Sequence, residues 1–252
     1  MYKTINVLWT GGLDSTCRIA QLSQMDNINI QPYYIIDKNR GSVIYEINAM
    51  KNITEIIRQH PNTKAILNNV ITIKLEDIKE NKTITDSYTY LRNKYKLGSQ
   101  YDFLARFAKQ HNITLEVGLE CSTRSKAYNT ITGECLQLIE DINTDVLYIN
   151  KAMASTDAIA VFENLRFPKK LWSMSKIQEV DFMKSIGLES LILKTHFCHN
   201  PICGMPCGQC NPCKDAMNEG MGFRVSKLGY SLGLARKIFY ELPLKIIYKI
   251  IS

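Results

Sequence analysis

The first half of the chain alternates short apolar runs with segments of helical periodicity. Four apolar runs, rich in β-branched residues, predict buried strands: residues 4–9, 29–37, 65–75 and 113–119. Three segments between or beside them repeat apolar side chains at near-helical spacing and predict helices: residues 14–24, 42–59 and 99–110. This alternation predicts an α/β fold with a mostly parallel sheet covered by helices.

The second half is less regular. Residues 121–170 contain apolar pieces without strong helix caps, and we assign no element there. Ser175 and Gln178 have the spacing of a capping box and predict a helix, which Gly187 ends. Leu191-Ile192-Leu193 predicts a short strand that leads into a cluster of cysteines.

The tail, residues 223–252, is basic and amphipathic, and Pro243 should kink or split it. We expect it to pack on the domain or on a second subunit, with a membrane-surface helix as the alternative. The expected organisation is an α/β domain over residues 1–190, followed by a metal-binding segment and C-terminal helices over residues 191–252.

Composition narrows the class of protein. The chain has 252 residues, 45% of them apolar, which is enough for one sizeable core. The sequence has neither a signal-peptide pattern nor a membrane-spanning run, so we expect a cytoplasmic protein without a membrane partner. The net charge of +7 suits an anionic ligand such as ATP, nucleic acid or a membrane surface, although a lysine bias is by itself the better explanation.

A glycine turn follows the first predicted strand. The residues there are Thr10, Gly11, Gly12, Leu13, Asp14, Ser15 and Thr16. A strand, a glycine turn and a helix form a phosphate cradle, because the glycines admit the anion and the first helical amides point at it. Asp14 can cap the helix or help hold Mg²⁺ beside the phosphates. The Walker A lysine is absent, and so is a dinucleotide-binding fingerprint.

The motif resembles Ser-Gly-Gly-x-Asp-Ser, the signature of the PP-loop ATP pyrophosphatases, with Thr10 in place of the serine. The resemblance implies a Rossmann-like fold of the adenine nucleotide alpha hydrolase type, in which the loop holds the β- and γ-phosphates of Mg-ATP. It implies catalytic roles for Asp14, Ser15 and Lys176, with Lys176 near the phosphates. Asp37, at the end of the second strand, would contact the adenosine, or it is an ordinary strand-terminal aspartate.

Five of the eight cysteines lie between positions 198 and 213, which favours a metal site over disulfides. Four of them have the spacing of a closed, structural Zn²⁺ site: Cys198, Cys207, Cys210 and Cys213. Cys203, His196 and His199 are spare potential ligands. An iron–sulfur cluster is the main alternative.

Together, the loop and the four cysteines resemble 7-cyano-7-deazaguanine synthase over residues 4–215. The resemblance implies a homodimer that adenylates the carboxylate of 7-carboxy-7-deazaguanine and transfers it to ammonia. A second ATP then converts the amide to the nitrile.

Two stretches depart from that family and leave the acceptor open. Residues 97–101 lack its Arg-Asn pair, and residues 121–128 lack its Tyr-Pro-Asp-Cys-Arg stretch. A divergent enzyme could stop at the amide, use another amine or activate a different carboxylate. Two further interpretations are a tRNA-modifying PP-loop enzyme, of the thiolation or lysidine type, and a zinc module without catalysis.

Overall fold

The computed structural model describes residues 2–119 and 125–241, which form an α/β fold around one mixed, mostly parallel sheet. Its eight strands are β1 (Lys3–Leu8), β2 (Ile28–Ile36), β3 (Ile66–Leu67), β4 (Ile71–Lys74), β5 (Leu115–Glu116), β6 (Leu138–Asp141), β7 (Val146–Ile149) and β8 (Leu165–Pro168). They lie in the order β3-β2-β1-β5-β8-β7-β6, and β4 also pairs with β2. The predicted Rossmann-like, α/β architecture is confirmed.

The helices are α1 (Leu13–Ser23), α2 (Val43–Gln59), α3 (Lys82–Tyr95), α4 (Gln100–Gln110), α5 (Lys126–Glu134), α6 (Thr156–Phe162), α7 (Lys169–Trp172), α8 (Lys176–Ser185), α9 (Asn211–Asn218) and α10 (Lys227–Arg236). The predicted helices correspond to α1, α2, α4 and α8. The capping box is confirmed, because Ser175 Oγ accepts from the Gln178 amide while the Gln178 side chain accepts from the Ser175 amide. Helix α3 was not predicted, and it begins at the side-chain cap of Asn81.

Parallel pairing covers the first half of the sheet and antiparallel pairing its far edge. β1 pairs in parallel with β2 and β5, and β5 with β8. β7 runs antiparallel to β6 and β8. The carboxyl ends of the parallel strands therefore meet at one edge, where ligands bind in such sheets.

Helices cover both faces of the sheet. Ile5 and Val7 of β1 point into one core cluster, with α1, α2 and α8, whereas Leu8 packs on the other, with α3, α4 and α6. This alternation is the pattern of a strand buried on both faces. Buried Leu191 and Met221 belong to the first cluster, so the C-terminal segment packs directly on the sheet domain.

Two predicted strands need correction. Residues 65–75 form two short strands, β3 and β4, because the regular pairing with β2 is interrupted at residues 68–70. Residues 191–193 are not a strand. A 3₁₀ turn occupies Glu189–Leu191, and the amides of Lys194 and Thr195 donate back to the Leu191 carbonyl. Leu191 and Ile192 pack into the core from this turn, whereas Leu193 is exposed. Gly187, with φ +75°, follows the end of α8, as predicted.

No described helix combines the length and the apolar character that crossing a membrane requires.

Candidate active site and metal centre

The glycine turn lies at the carboxyl end of β1 and opens α1. Gly11 has φ +68°, and a Cβ there would approach the Glu46 carbonyl oxygen to 3.0 Å, so the turn lies tightly on α2. Gly12 is the N-cap of α1, whose first amides therefore point toward the strand ends. Asp14 lies in the first turn of the helix. The local geometry is that of an anion cradle.

A cavity of about 430 Å³ lies over this turn. Four of the predicted loop residues line it: Thr10, Gly12, Asp14 and Ser15. The Ser15 hydroxyl accepts from the Thr10 amide at 3.4 Å and faces the cavity. Lys176, the first residue of α8, also lines the cavity. The structure thus brings together the three residues for which the resemblance implies catalytic roles.

Two acidic side chains flank Lys176. Its Nζ donates to Asp14 Oδ1 and to Glu179 Oε1, the latter at 3.3 Å. Burial would lower the pKa of Lys176, but its electrostatic interactions and hydrogen bonds with Asp14 and Glu179 outweigh burial and hold the pKa above its ordinary value. Burial, reinforced by the charge of Asp14, raises the pKa of Glu179 to about 8. Lys176 is therefore a fixed cation beside the cradle.

Arg40 supplies a second cation at the cavity wall. Its Nη2 donates to Glu46 Oε1 at 2.6 Å, and the buried Glu46 carboxylate also accepts from Tyr34 and Ser42. Three donors on one buried carboxylate satisfy its charge and fix the position of Arg40. Arg40 follows β2 by four residues, and the sequence analysis did not identify it.

Arg224 stands on the wall between the main cavity and a neighbouring one of about 310 Å³. Its Nη2 donates to the Thr195 carbonyl at 2.9 Å and to the Thr195 hydroxyl at 2.6 Å. The guanidinium lies 4.2 Å from the centre of the Phe197 ring. Burial lowers the pKa of Arg224 to about 10, so it is still charged at pH 7. No sequence motif indicated this residue.

The four predicted cysteine ligands converge. The Sγ atoms of Cys198, Cys207, Cys210 and Cys213 lie within 4.8 Å of one another. Cys198 and Cys210 are 3.8 Å apart, which is about the edge of a tetrahedron of sulfurs bonded to one metal ion at ~2.3 Å. The amides of Cys207, Gln209 and Cys210 donate to cluster sulfurs, as expected for thiolates. The donor set and its spacing fit a structural metal ion.

The spare potential ligands lie elsewhere. Cys203 and Gly204, with φ of +48° and +78°, form the tip of a two-residue turn between Ile202 and Met205. Cys203 is exposed there and outside the cluster. His196 and His199 line the main cavity.

His196 connects the loop that contains the four clustered cysteines, residues 198–213, to the glycine turn. We call residues 198–213 the metal loop. Its amide donates to the Gly11 carbonyl at 2.8 Å, and its ring Nε2 donates to the Cys198 carbonyl at 2.7 Å. The ring also stacks on Tyr45, with centroids 5.6 Å apart. Burial lowers the pKa of His196, so the ring is neutral at pH 7. The metal loop thus forms one wall of the cavity.

Two predicted nucleotide-binding side chains do not reach the cavity. Thr16 is buried, and its hydroxyl accepts from the Trp9 indole at 3.0 Å. Asp37 ends β2 and accepts from the Asn39 amide in a local turn. Gly11 acts through its backbone and is not on the cavity surface.

The two stretches that differ from the resembled family, residues 97–101 and 121–128, lie only partly within the described residues. Gln100 from the first one lines the cavity. In the second stretch, Cys121 and Arg124 lie outside the described residues, and Ser125 caps α5.

No known protein-family model matches the chain, and no curated protein matches it significantly.

Proposed function

We propose that this protein is an ATP-dependent ligase that adenylates a carboxylate, releases pyrophosphate and transfers the acyl group to ammonia or another amine. The acceptor that the sequence resemblance favours is 7-carboxy-7-deazaguanine. The observation that supports this function best is the convergence of Gly12, Ser15 and Lys176 on one cavity at the carboxyl end of β1.

The residues suit a departing pyrophosphate. The first amides of α1 and the Ser15 hydroxyl would donate to its oxygens, while Lys176 and Arg40 would offset its charge. These donors are fixed before substrate binds, because Asp14 and Glu179 hold Lys176 and Glu46 holds Arg40. Preorganised charge of this kind stabilises a transition state without reorganisation.

Two metal ions belong to the proposal. Asp14, 43% exposed, would hold Mg²⁺, which neutralises phosphate charge when ATP is bound. Cys198, Cys207, Cys210 and Cys213 would hold Zn²⁺ in a closed structural site. Their loop keeps His196 and His199 at the cavity wall, opposite α1.

The experiment combines product analysis with one substitution. The metal-loaded protein is incubated with Mg-ATP, 7-carboxy-7-deazaguanine and ammonium, and AMP, pyrophosphate and organic products are measured by mass spectrometry. Lys176→Met should lower the rate of pyrophosphate release by about 10²–10³-fold, because a preorganised cation is lost.

Lys184→Met is the matched control, since Lys184 lies on the same helix but is 59% exposed. It should leave the rate unchanged. AMP release with only an amide would identify a ligase that stops early. Absence of AMP and pyrophosphate with this acid would contradict the proposed acceptor. Equal rates for the Lys176 and Lys184 variants would contradict the proposed site.

A further inference from the structure

Helix α10 lies unusually close to the metal loop. Gly229 and Gly233, one turn apart, form its buried face. A Cβ at Gly229 would approach the Pro206 carbonyl oxygen to 2.5 Å, and one at Gly233 would overlap the Cys207 carbonyl. From the other side, a Cβ at Gly208 would approach the Tyr230 ring to 2.5 Å. Glycines on both elements therefore allow α10 to lie directly on the cysteine loop.

Away from these glycines, α10 exposes several large apolar side chains. Lys237–Glu241 continues the helix as a π-helical segment. Large apolar side chains are exposed along both segments: Leu228, Tyr230, Leu232, Leu234, Ile238 and Phe239. Leu228 is 60% exposed and Phe239 is 72% exposed. We call these six residues the outer face of α10. A concentration of exposed apolar side chains on one segment is typical of an interaction site.

The charges on this part of the chain are mostly positive. From Gly220 to Tyr240 the sequence has four Lys or Arg and no Asp or Glu, and Glu241 ends the π-helical segment. Lys227 is exposed at the start of α10, and Lys237 follows its end. No ion pair involves either lysine among the residues that the structure describes. An apolar face flanked mainly by cations complements a surface that is apolar inside and anionic outside.

A second copy of the chain fits this face less well. A twofold interface places the same patch against itself, so Lys227 and Lys237 would meet only further cations. Such a pairing of like charges opposes association.

We propose that the outer face of α10 binds the surface of an anionic phospholipid bilayer. The apolar side chains would enter the headgroup boundary while the lysines pair with lipid phosphates. This peripheral mode needs no membrane-spanning helix. It differs from the expectation that the tail packs only on protein, and it does not depend on the proposed ligase activity.

The test is cosedimentation of the full-length, zinc-loaded protein with vesicles. Wild type should bind phosphatidylcholine–phosphatidylglycerol vesicles and not phosphatidylcholine vesicles, and added salt should weaken the binding. Combined Leu228→Ser, Leu232→Ser and Phe239→Ser should lower the partition coefficient about tenfold or more. Lys227→Gln and Lys237→Gln should lower it about fivefold per charge.

Leu136 and Ile142 provide the matched control. They are 86% and 84% exposed but lie on turns beside β6, so Leu136→Ser with Ile142→Ser should leave binding unchanged. Failure of wild type to bind the anionic vesicles would overturn the proposal, as would equal losses in the control. Light scattering gives the mass in solution. A dimer that the triple variant dissociates, without lipid binding by wild type, would assign the face to a second copy instead.

Discussion

Gly11 lets the glycine turn lie directly against α2, because it has no side chain and adopts a positive φ. Its positive φ and its contact with α2 leave no room for a side chain. Gly11→Ala should lower the free energy of unfolding by about 2 kcal/mol, because a left-handed conformation costs an L-residue about 1–2 kcal/mol and the methyl group meets Glu46. Urea unfolding measures this change.

Gly98→Ala is the control for this prediction. A Cβ at Gly98 would meet no atom within 4 Å, and its φ lies outside the left-handed region. We expect stability within about 0.5 kcal/mol of wild type. Equal effects of the two substitutions would contradict the role assigned to Gly11.

Glu179 should make the stability of the protein depend on pH. Its pKa is raised to about 8 in the folded protein, chiefly by burial, above its ordinary value in the unfolded chain. Between about pH 4.5 and pH 8 the unfolded chain has released this proton while the folded protein retains it. The free energy of unfolding should therefore fall as pH rises, by at most about 1.4 kcal/mol per pH unit.

Glu179→Gln preserves the shape of this side chain and removes its titration. The variant should show a flatter dependence of stability on pH, measured by urea unfolding across that window. A slope identical to that of wild type would show that Glu179 does not bind the proton in question.

At the scale of elements, α1 joins the site to the sheet. Its N-terminus forms the cradle, and Arg18, one turn further on, is buried against β5. Arg18 Nε and Nη2 donate to the two oxygens of Glu116 at 2.6 and 3.0 Å, and Nη2 also donates to the Thr144 carbonyl. This bidentate pair fixes α1 relative to the strand beside β1.

Arg18→Met should lower the free energy of unfolding by about 3–5 kcal/mol, because it leaves the Glu116 carboxylate buried without its cation. Arg18→Met combined with Glu116→Leu should recover part of this loss, since no buried charge remains. Chemical denaturation of both variants measures the coupling.

An exposed ion pair serves as the control. Lys64 Nζ lies 3.0 Å from Asp26 Oδ2, and the two side chains are 53% and 71% exposed. Lys64→Met should therefore change the free energy of unfolding by less than about 1 kcal/mol. If the double variant were no more stable than Arg18→Met alone, the uncompensated charge would not be the cause.

At the scale of the whole molecule, the loop with the four clustered cysteines lies between the C-terminal helices and the main cavity. The loop contacts the glycine turn through His196 and supports α10 through the glycine contacts. Loss of the metal should therefore loosen both the cavity wall and the outer face.

Cys207→Ser should lose bound zinc and lower Tm by at least about 5 °C, because binding of a structural metal contributes directly to folding. Elemental analysis and calorimetry measure both effects. Cys203→Ser should retain the metal and the wild-type Tm, because Cys203 is exposed at the tip of its turn. Loss of zinc from the Cys203 variant would contradict the four-cysteine assignment.

Local signals accounted for the elements that sequence reasoning found. Strands β1 and β2 are rich in apolar and β-branched residues, and α8 begins at its capping box. Helix α3 was not predicted because it buries only Ile84, Tyr88 and Leu91, which give too few apolar positions to show a helical period. Residues 191–193 were wrongly predicted as a strand because a short apolar run has no period that separates a strand from a buried turn.

The sequence by itself determined the glycine turn after the first strand, the four cysteines that cluster and the alternation of strands and helices, because each depends on residues close together in the chain. Only the tertiary structure decided what meets across the molecule. It placed Lys176 beside Asp14, 162 residues earlier, and added Arg40 and Arg224 to the cavity wall. In the tertiary structure, Cys203 lies outside the cysteine cluster, and the Thr16 side chain is buried in the core. These outcomes depend on packing between distant segments, which no local pattern encodes.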